Sequence, residues 1–274
     1  MSRGPAALAM CMTDLGLMVR RDAPEATMRQ LARAAEAHGL SCVWTNHPPN
    51  QDAFGPLAWA AEATARIQLG LGVVPVSANG PDAIRRRLDE TGLPLDRLRL
   101  GVGSGSGPRP VARVEAALAA LRGLVPCELV LAALGPRMCA LGGRAADGVL
   151  LNALTPDYAR ASVEQIRQAA ATAGRPAPKV YALVSVAVGE AGAALQQRAA
   201  AFYAQLPTYA AHFERMGAAP ADVLLTINEA AELPAHLAPW SGVVDEVVLG
   251  PVLVHGEADE ALPLLEAARG VFTP

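Results

Sequence analysis

Residues 128–152 read E-L-V-L-A-A-L-G-P-R-M-C-A-L-G-G-R-A-A-D-G-V-L-L-N. The stretch opens on an unbroken apolar run, turns at Gly135-Pro136, continues as an Ala- and Leu-rich segment and closes on a second apolar run, Gly148–Asn152. Strand, helix, strand suits all of it. Leu129-Val130-Leu131 lacks polar alternation, as strands covered on both faces do. Pro136 suits a first helical turn, whose N–H has no partner to lose. Two strands joined by a helix pair in parallel through a right-handed crossover.

The same rhythm fills the rest of the chain. Apolar, β-branched runs occur at Leu15–Arg20, Ser41–Asn46, Ile67–Val74, Leu98–Val102, Glu128–Leu134, Gly148–Asn152, Val180–Val188 and Asp245–Leu249. Helical patterns lie between and after them, at Pro24–His38, Phe54–Thr64, Pro81–Thr91, Pro110–Leu121, Pro136–Gly142, Pro156–Ala173, Glu190–Met216 and Glu257–Arg269. Eight such units in 274 residues match a (β/α)8 TIM barrel in size. The alternative, an open doubly wound sheet, uses fewer strands. With no linker or low-complexity tract, residues 15–274 read as a single α/β-barrel domain. Residues 1–14 read as an N-terminal extension, with Met10 and Met12 as alternative starts.

Composition narrows the function. A net charge of −3, with no basic tail or basic face, gives nucleic acid nothing to bind. No apolar run reaches the roughly 18 residues of a membrane span. Four cysteines without a C-x-x-C pair read as reduced thiols of a cytoplasmic protein. The five histidines form no H-E-x-x-H or H-x-H, so no metal site is expected. Lys179, the only lysine, follows no glycine loop, which excludes a P-loop. Gly101–Gly107 fails the dinucleotide fingerprint because Ser106 stands where its third glycine belongs.

In a barrel of this kind, chemistry sits where strands end and βα loops begin. The second strand runs into Asn46-His47, and a rim histidine can exchange a proton near neutral pH. The third carries Gly70 and Gly72, which mark a bulge or the close approach of a ligand. The fourth enters Gly103-Ser104-Gly105-Ser106-Gly107, whose amides can form an anion nest. The fifth ends at Gly135-Pro136-Arg137, a helix N-terminus beside an arginine and in form a phosphate site. The sixth ends at Asn152, read either as a ligand contact or as a helix-capping partner.

Several of these segments together resemble the luciferase-like monooxygenase superfamily, and most closely its branch that uses the deazaflavin coenzyme F-420. The resemblance rests on Ala32–Trp44 running into Asn46-His47, on Ala65–Pro75, Leu98–Gly103, Ala133–Met138 and Ala145–Asn152, and on Asp245–Leu249. It implies an α/β barrel with the cofactor ring across the mouth, against Gly72 and Val73, joined by a cis peptide bond. It places the cofactor phosphate at Gly103–Gly107 and Gly135–Arg137, with Arg109 as a weaker candidate for the same anion. His47 would donate a proton or position the substrate, and Asn46 would hydrogen-bond cofactor or substrate. The chain departs from the pattern twice. Many relatives have Asp where Asn46 stands, and the insertion after the fourth strand is short here.

The implied function is an oxidoreductase that moves a hydride between F-420 and a small-molecule or peptide-like organic substrate. Two alternatives stay open: an FMN-dependent monooxygenase on the same scaffold, and a cofactor-binding or structural barrel without catalysis. A homodimer is the assembly considered.

Overall fold

A computed structural model of the chain describes residues 13–47 and 51–272. Nine strands are present among them: β1 (Asp14–Val19), β2 (Cys42–Thr45), β3 (Gln68–Pro75), β4 (Leu98–Gly103), β5 (Glu128–Ala133), β6 (Gly148–Asn152), β7 (Lys179–Val188), β8 (Leu225–Ile227) and β9 (Glu246–Pro251). The helices are α1 (Glu25–Ala37), α2 (Phe54–Ala63), α3 (Pro81–Thr91), α4 (Pro110–Leu124), α5 (Pro136–Ala145), α6 (Pro156–Thr172), α7 (Gly189–Gln205), α8 (Pro207–Met216), α9 (Leu233–Leu237) and α10 (Leu262–Ala268). Every strand pairing is parallel. β1 to β7 pair in sequence, β7 pairs β9, and β9 returns to β1, closing an eight-stranded TIM barrel.

The expected strands all form, within a residue or two of their expected ends. Several features differ from the sequence reading: the expected helix over Glu257–Arg269 is a short turn at Ala258–Glu260 followed by α10, and α9 was not expected. β8 is an extra, three-residue strand that extends β7 on its outer edge. It is too short to announce itself as an apolar run. The expected single helix over Glu190–Met216 is two, α7 and α8, divided at Leu206. Pro207 lacks the N–H that would continue α7, so it starts α8 instead, as proline also does in α3, α4, α5 and α6. The barrel also begins slightly earlier than Leu15: Thr13 Oγ1 donates to the Val244 carbonyl at 2.9 Å, and β1 opens at Asp14.

The main apolar core lies between the barrel and its helices, but the inside of the barrel decides how the site is supported. Met18, Cys42, Trp44, Val130, Leu150, Tyr181 and Val248 fill it from alternate strand positions. Below them, at the N-terminal ends of the strands, sits a buried polar layer. Arg99, 5% exposed, ion-pairs with Glu246, 2% exposed, at 2.6 Å, and its Nε lies 3.5 Å from Glu128. Glu246 also accepts from Trp44 Nε1 at 2.8 Å and from Ser41 Oγ at 2.6 Å, while the Tyr181 hydroxyl donates to Glu128. The Arg99 guanidinium lies 4.9 Å from the centre of the Tyr181 ring. Glycines on the inner face make room for these groups. A Cβ at Gly70 would meet Trp44 at 2.1 Å, and one at Gly16 would meet Glu246 at 2.3 Å. The glycines of β3 thus have a packing role as well as the one expected at the mouth.

Candidate active site

The residues singled out from the sequence all lie on β2 to β6 or on the loops and first helical turns that follow them. Those strands are consecutive neighbours, so the residues share one arc of the barrel's C-terminal mouth. At the centre of the arc, the β3–β4 register shifts between Leu71 and Val74. One extra residue there turns both Gly72 and Val73 inward. The Gly72–Val73 peptide bond is cis. Val73 packs over the inner faces of Gly101 and Gly103, whose missing side chains leave it space, and a Cβ at Gly72 would touch Met18 and Leu150 at 3.1 and 3.2 Å. The result is a narrow apolar platform at the top of the filled barrel, half-buried at Gly72 and Val73, which a flat ring can approach.

The β4 loop is short, as expected. Gly105 and Gly107 adopt positive φ angles of 62° and 97°, and Arg109 also lies in the left-handed region at 51°, unusual for a side-chain-bearing residue. Arg113 of α4, unremarked in the sequence, organises this loop. It donates to the carbonyls of Ser104 at 3.0 Å, Ser106 at 2.5 Å and Pro108. With the carbonyls gathered on Arg113, the amides of Ser104, Gly105, Ser106 and Gly107 donate to no described residue.

At the end of β5, Gly135 caps α5 from the extended region, and Arg137 is exposed. A second arginine reaches this point from α8: a side chain at Gly135 would meet Arg215 Nη2 at 3.0 Å. Arg215 makes no hydrogen bond or ion pair with a described residue. It is therefore a free guanidinium at a helix N-terminus, the combination that favours an anion. Sequence reading missed it because its partner lies about eighty residues away along the chain.

Asn152 does not cap α6; Thr155 does, accepting from the Tyr158 amide at 3.3 Å. The Asn152 side chain instead donates to the Tyr209 hydroxyl at 3.1 Å. Tyr209 stacks on Tyr203 with ring centres 4.6 Å apart. Burial pushes both phenols above the ordinary tyrosine range. His212, one turn further along α8, holds its Nε2 2.8 Å from the Ala153 carbonyl, just past β6. Through these contacts α7 and α8 lie beside the mouth.

His47 sits at the rim, 8% exposed, with its ring edge-on to Phe54 of α2 at 5.5 Å. Its Nδ1 is buried without a partner among the described residues. Burial pushes its pKa below the ordinary imidazole value; Asp52 opposes that, and Arg21 and Arg87 reinforce it. The imidazole is neutral at pH 7. The Asn46 Oδ1 accepts from the Arg21 amide at 2.9 Å and ties the end of β2 to the β1–α1 loop. Cys42, five residues before His47, is buried inside the barrel against Arg99, and burial raises its thiol well above the usual range. It offers His47 no nucleophilic partner. Among the described residues there is no group of three or more metal-ligating side chains, and no helix is long and apolar enough to cross a membrane.

Comparison with known proteins agrees with this architecture. The luciferase-like monooxygenase family model matches residues 8–115 and 106–270. The 5,10-methylenetetrahydromethanopterin reductase of Methanolobus tindarius is 29% identical over 203 residues, covering 60% of this chain and 62% of the relative. The chain thus spans less than two thirds of that relative's length in the match. The coenzyme F-420-dependent tetrahydromethanopterin reductase structure from Methanopyrus kandleri superposes with a TM-score of 0.73 at 16% identity, over 94% of this chain and 98% of that one. The oxygenating constituent of 3,6-diketocamphane monooxygenase from Pseudomonas putida, in complex with FMN, gives 0.72 at 13% identity, over 96% and 98%. At such identities the superpositions establish the fold.

Proposed function

As a member of the luciferase-like monooxygenase family the chain is an oxidoreductase, and we propose that it transfers a hydride between the deazaflavin coenzyme F-420 and a small organic substrate. The observation that carries this reading is the platform at Gly72 and Val73, with two anion-seeking elements beside it on β4 and β5. The mouth fits the group on its own terms. The inward apolar face of Met18, Val73 and Leu150 suits one side of a planar ring, free amides follow β4, and an unpaired Arg215 stands at the start of α5. The F-420-dependent reductase among the solved neighbours supports a deazaflavin and the FMN complex among them supports the flavin alternative; the deazaflavin is the reading proposed.

When bound, the deazaflavin supplies the two-electron carbon centre that gives or takes the hydride. The protein's part is orientation and proton management. Gly72 and Val73 back the ring and set its depth. The amides of Ser104 to Gly107, the α5 N-terminus at Gly135 and Pro136, and the guanidiniums of Arg215 and Arg137 hold the phosphate. His47, neutral at pH 7, takes the substrate's proton as a hydride leaves the same substrate, and returns it in the reverse direction. Asn46 fixes the strand end that carries His47. Asn152 ties the end of β6 to α8 through Tyr209.

The phosphate assignment gives a test by fluorescence titration with oxidised F-420. Arg215→Ala is expected to weaken binding by about tenfold or more, on the order of one lost charge-assisted hydrogen bond. Arg137→Ala, whose side chain is exposed, is expected to weaken it less. Unchanged affinity in both variants would place the phosphate elsewhere.

A further inference from the structure

Side chains on β6 alternate between the outer core and the inside of the barrel. Val149 and Leu151 face the helices, while Leu150 faces inward with Trp44 and Tyr181. Asn152, two residues beyond Leu150, therefore also faces inward, at the mouth. Leu150 is part of the platform, since a Cβ at Gly72 would touch it at 3.2 Å. The Asn152 amide donates to the Tyr209 hydroxyl at 3.1 Å, so that hydroxyl is held at the inner face as well. Asn152 stands two residues' rise, roughly 6–7 Å, further along the strand than Leu150. A ring in contact with the platform takes up only about 3.5–4 Å of that. The hydroxyl at the Asn152 amide thus belongs to the level above the ring, where the substrate lies.

Further contacts of α8 keep Tyr209 in place. His212 Nε2 lies 2.8 Å from the Ala153 carbonyl, and Met216 Sδ accepts from the Thr155 amide at 3.4 Å. Ala153 itself lies in the left-handed region at φ 54°, which alanine rarely adopts. Tyr203 backs the Tyr209 ring at 4.6 Å. The Tyr209 hydroxyl accepts from Asn152, and its own hydrogen goes to no described residue. Burial keeps the phenol protonated. A neutral hydroxyl with a free hydrogen is a donor and not a base. We propose that Tyr209, oriented by Asn152, donates a hydrogen bond to a carbonyl oxygen of the substrate, which makes a ketone or aldehyde, or the matching alcohol in reverse, the substrate class. In the reducing direction the hydride brings its electron pair to the carbonyl carbon and the C=O π pair moves to the oxygen. The proton returned by His47 completes the alcohol, and Tyr209 keeps its own. A fixed donor strengthens as that oxygen gains charge. An imine nitrogen would instead need a whole proton, which a buried phenol gives up poorly.

The inference rests on the proposed hydride transfer, but its test reads binding alone. Acetophenone and α-methylstyrene, which has a CH2 group in place of the carbonyl oxygen, are titrated by NMR into the full-length protein, with and without saturating oxidised F-420. Tyr209→Phe should weaken acetophenone binding by about three- to tenfold, the net worth of one hydrogen bond, and leave α-methylstyrene unchanged. Asn152→Ala, which leaves the hydroxyl free to turn, should show the same selective loss to a smaller extent, and it carries the test if Tyr209→Phe fails to fold. An equal change for both probes would make Tyr209 a packing residue of α8 and overturn the proposal, as would a parent protein that binds neither probe. Selective loss in a protein that does not bind F-420 keeps Tyr209 as a carbonyl-binding residue and removes the hydride reading; F-420 binding without selective loss does the reverse.

Discussion

Arg99→Met is expected to cost the fold about 3–5 kcal/mol, the usual penalty for removing one partner of a buried ion pair. The variant keeps most of the side chain's length and apolar bulk, so the loss is mainly electrostatic. It leaves Glu246 charged inside the barrel with only Trp44 and Ser41 as hydrogen-bond donors, and it strips Glu128 of its cationic neighbour. The midpoint of urea unfolding should fall accordingly. Arg99→Met combined with Glu246→Gln should recover part of the loss, because the amide needs no counter-charge and its oxygen still accepts from Trp44. A single-variant cost below about 1 kcal/mol would mean that the floor of the barrel is held by its apolar layer instead.

His47→Gln is expected to slow hydride transfer by about 10²–10⁴, the usual contribution of a positioned acid–base group. Cofactor affinity should be nearly unchanged, since His47 lies at the rim and not on the Gly72–Val73 platform. Because burial lowers the His47 pKa, the neutral form dominates at pH 7. In the direction that removes a proton from substrate, the parent rate should therefore stay on its plateau at pH 7 and fall only as pH drops below the ordinary imidazole midpoint. The Gln variant should lose that acid limb. A variant that retains most of its rate at saturating substrate would reduce His47 to a packing residue beneath Phe54.

Much of this was legible in the sequence, for identifiable reasons. The barrel strands announce themselves because both faces are covered: Leu129-Val130-Leu131 and Gly148–Asn152 have no polar alternation to confuse with a surface strand. Helix starts are equally plain, because proline at the first turn has few other uses. The mouth positions follow from the strand ends once the topology is known. What the sequence did not reveal depends on contacts between distant segments. Arg215 reaches Gly135 from α8, eighty residues on, and Arg113 finds the carbonyls of the loop after β4 only through the turn at Gly107. The buried Arg99–Glu246 pair joins residues 147 positions apart, and neither stands in a charge pattern. Asp52 is nearer, yet only the packing of α2 against α3 shows that it pairs with Arg87. Asn46 illustrates a mixed case: its place at the mouth is legible in the sequence, but the hydrogen bond that its Oδ1 accepts from the Arg21 amide is not.

The claim that most depends on chemistry, and least on topology, is the cofactor. Purified full-length protein, titrated side by side with oxidised F-420 and with FMN and read by quenching of each cofactor's own fluorescence, tests it in one experiment. The account predicts saturable binding of F-420 at one site per chain, with affinity for FMN at least tenfold weaker. Tighter binding of FMN would make the chain a flavin enzyme on the same barrel, and binding of neither would contradict the oxidoreductase site placed at Gly72 and Val73.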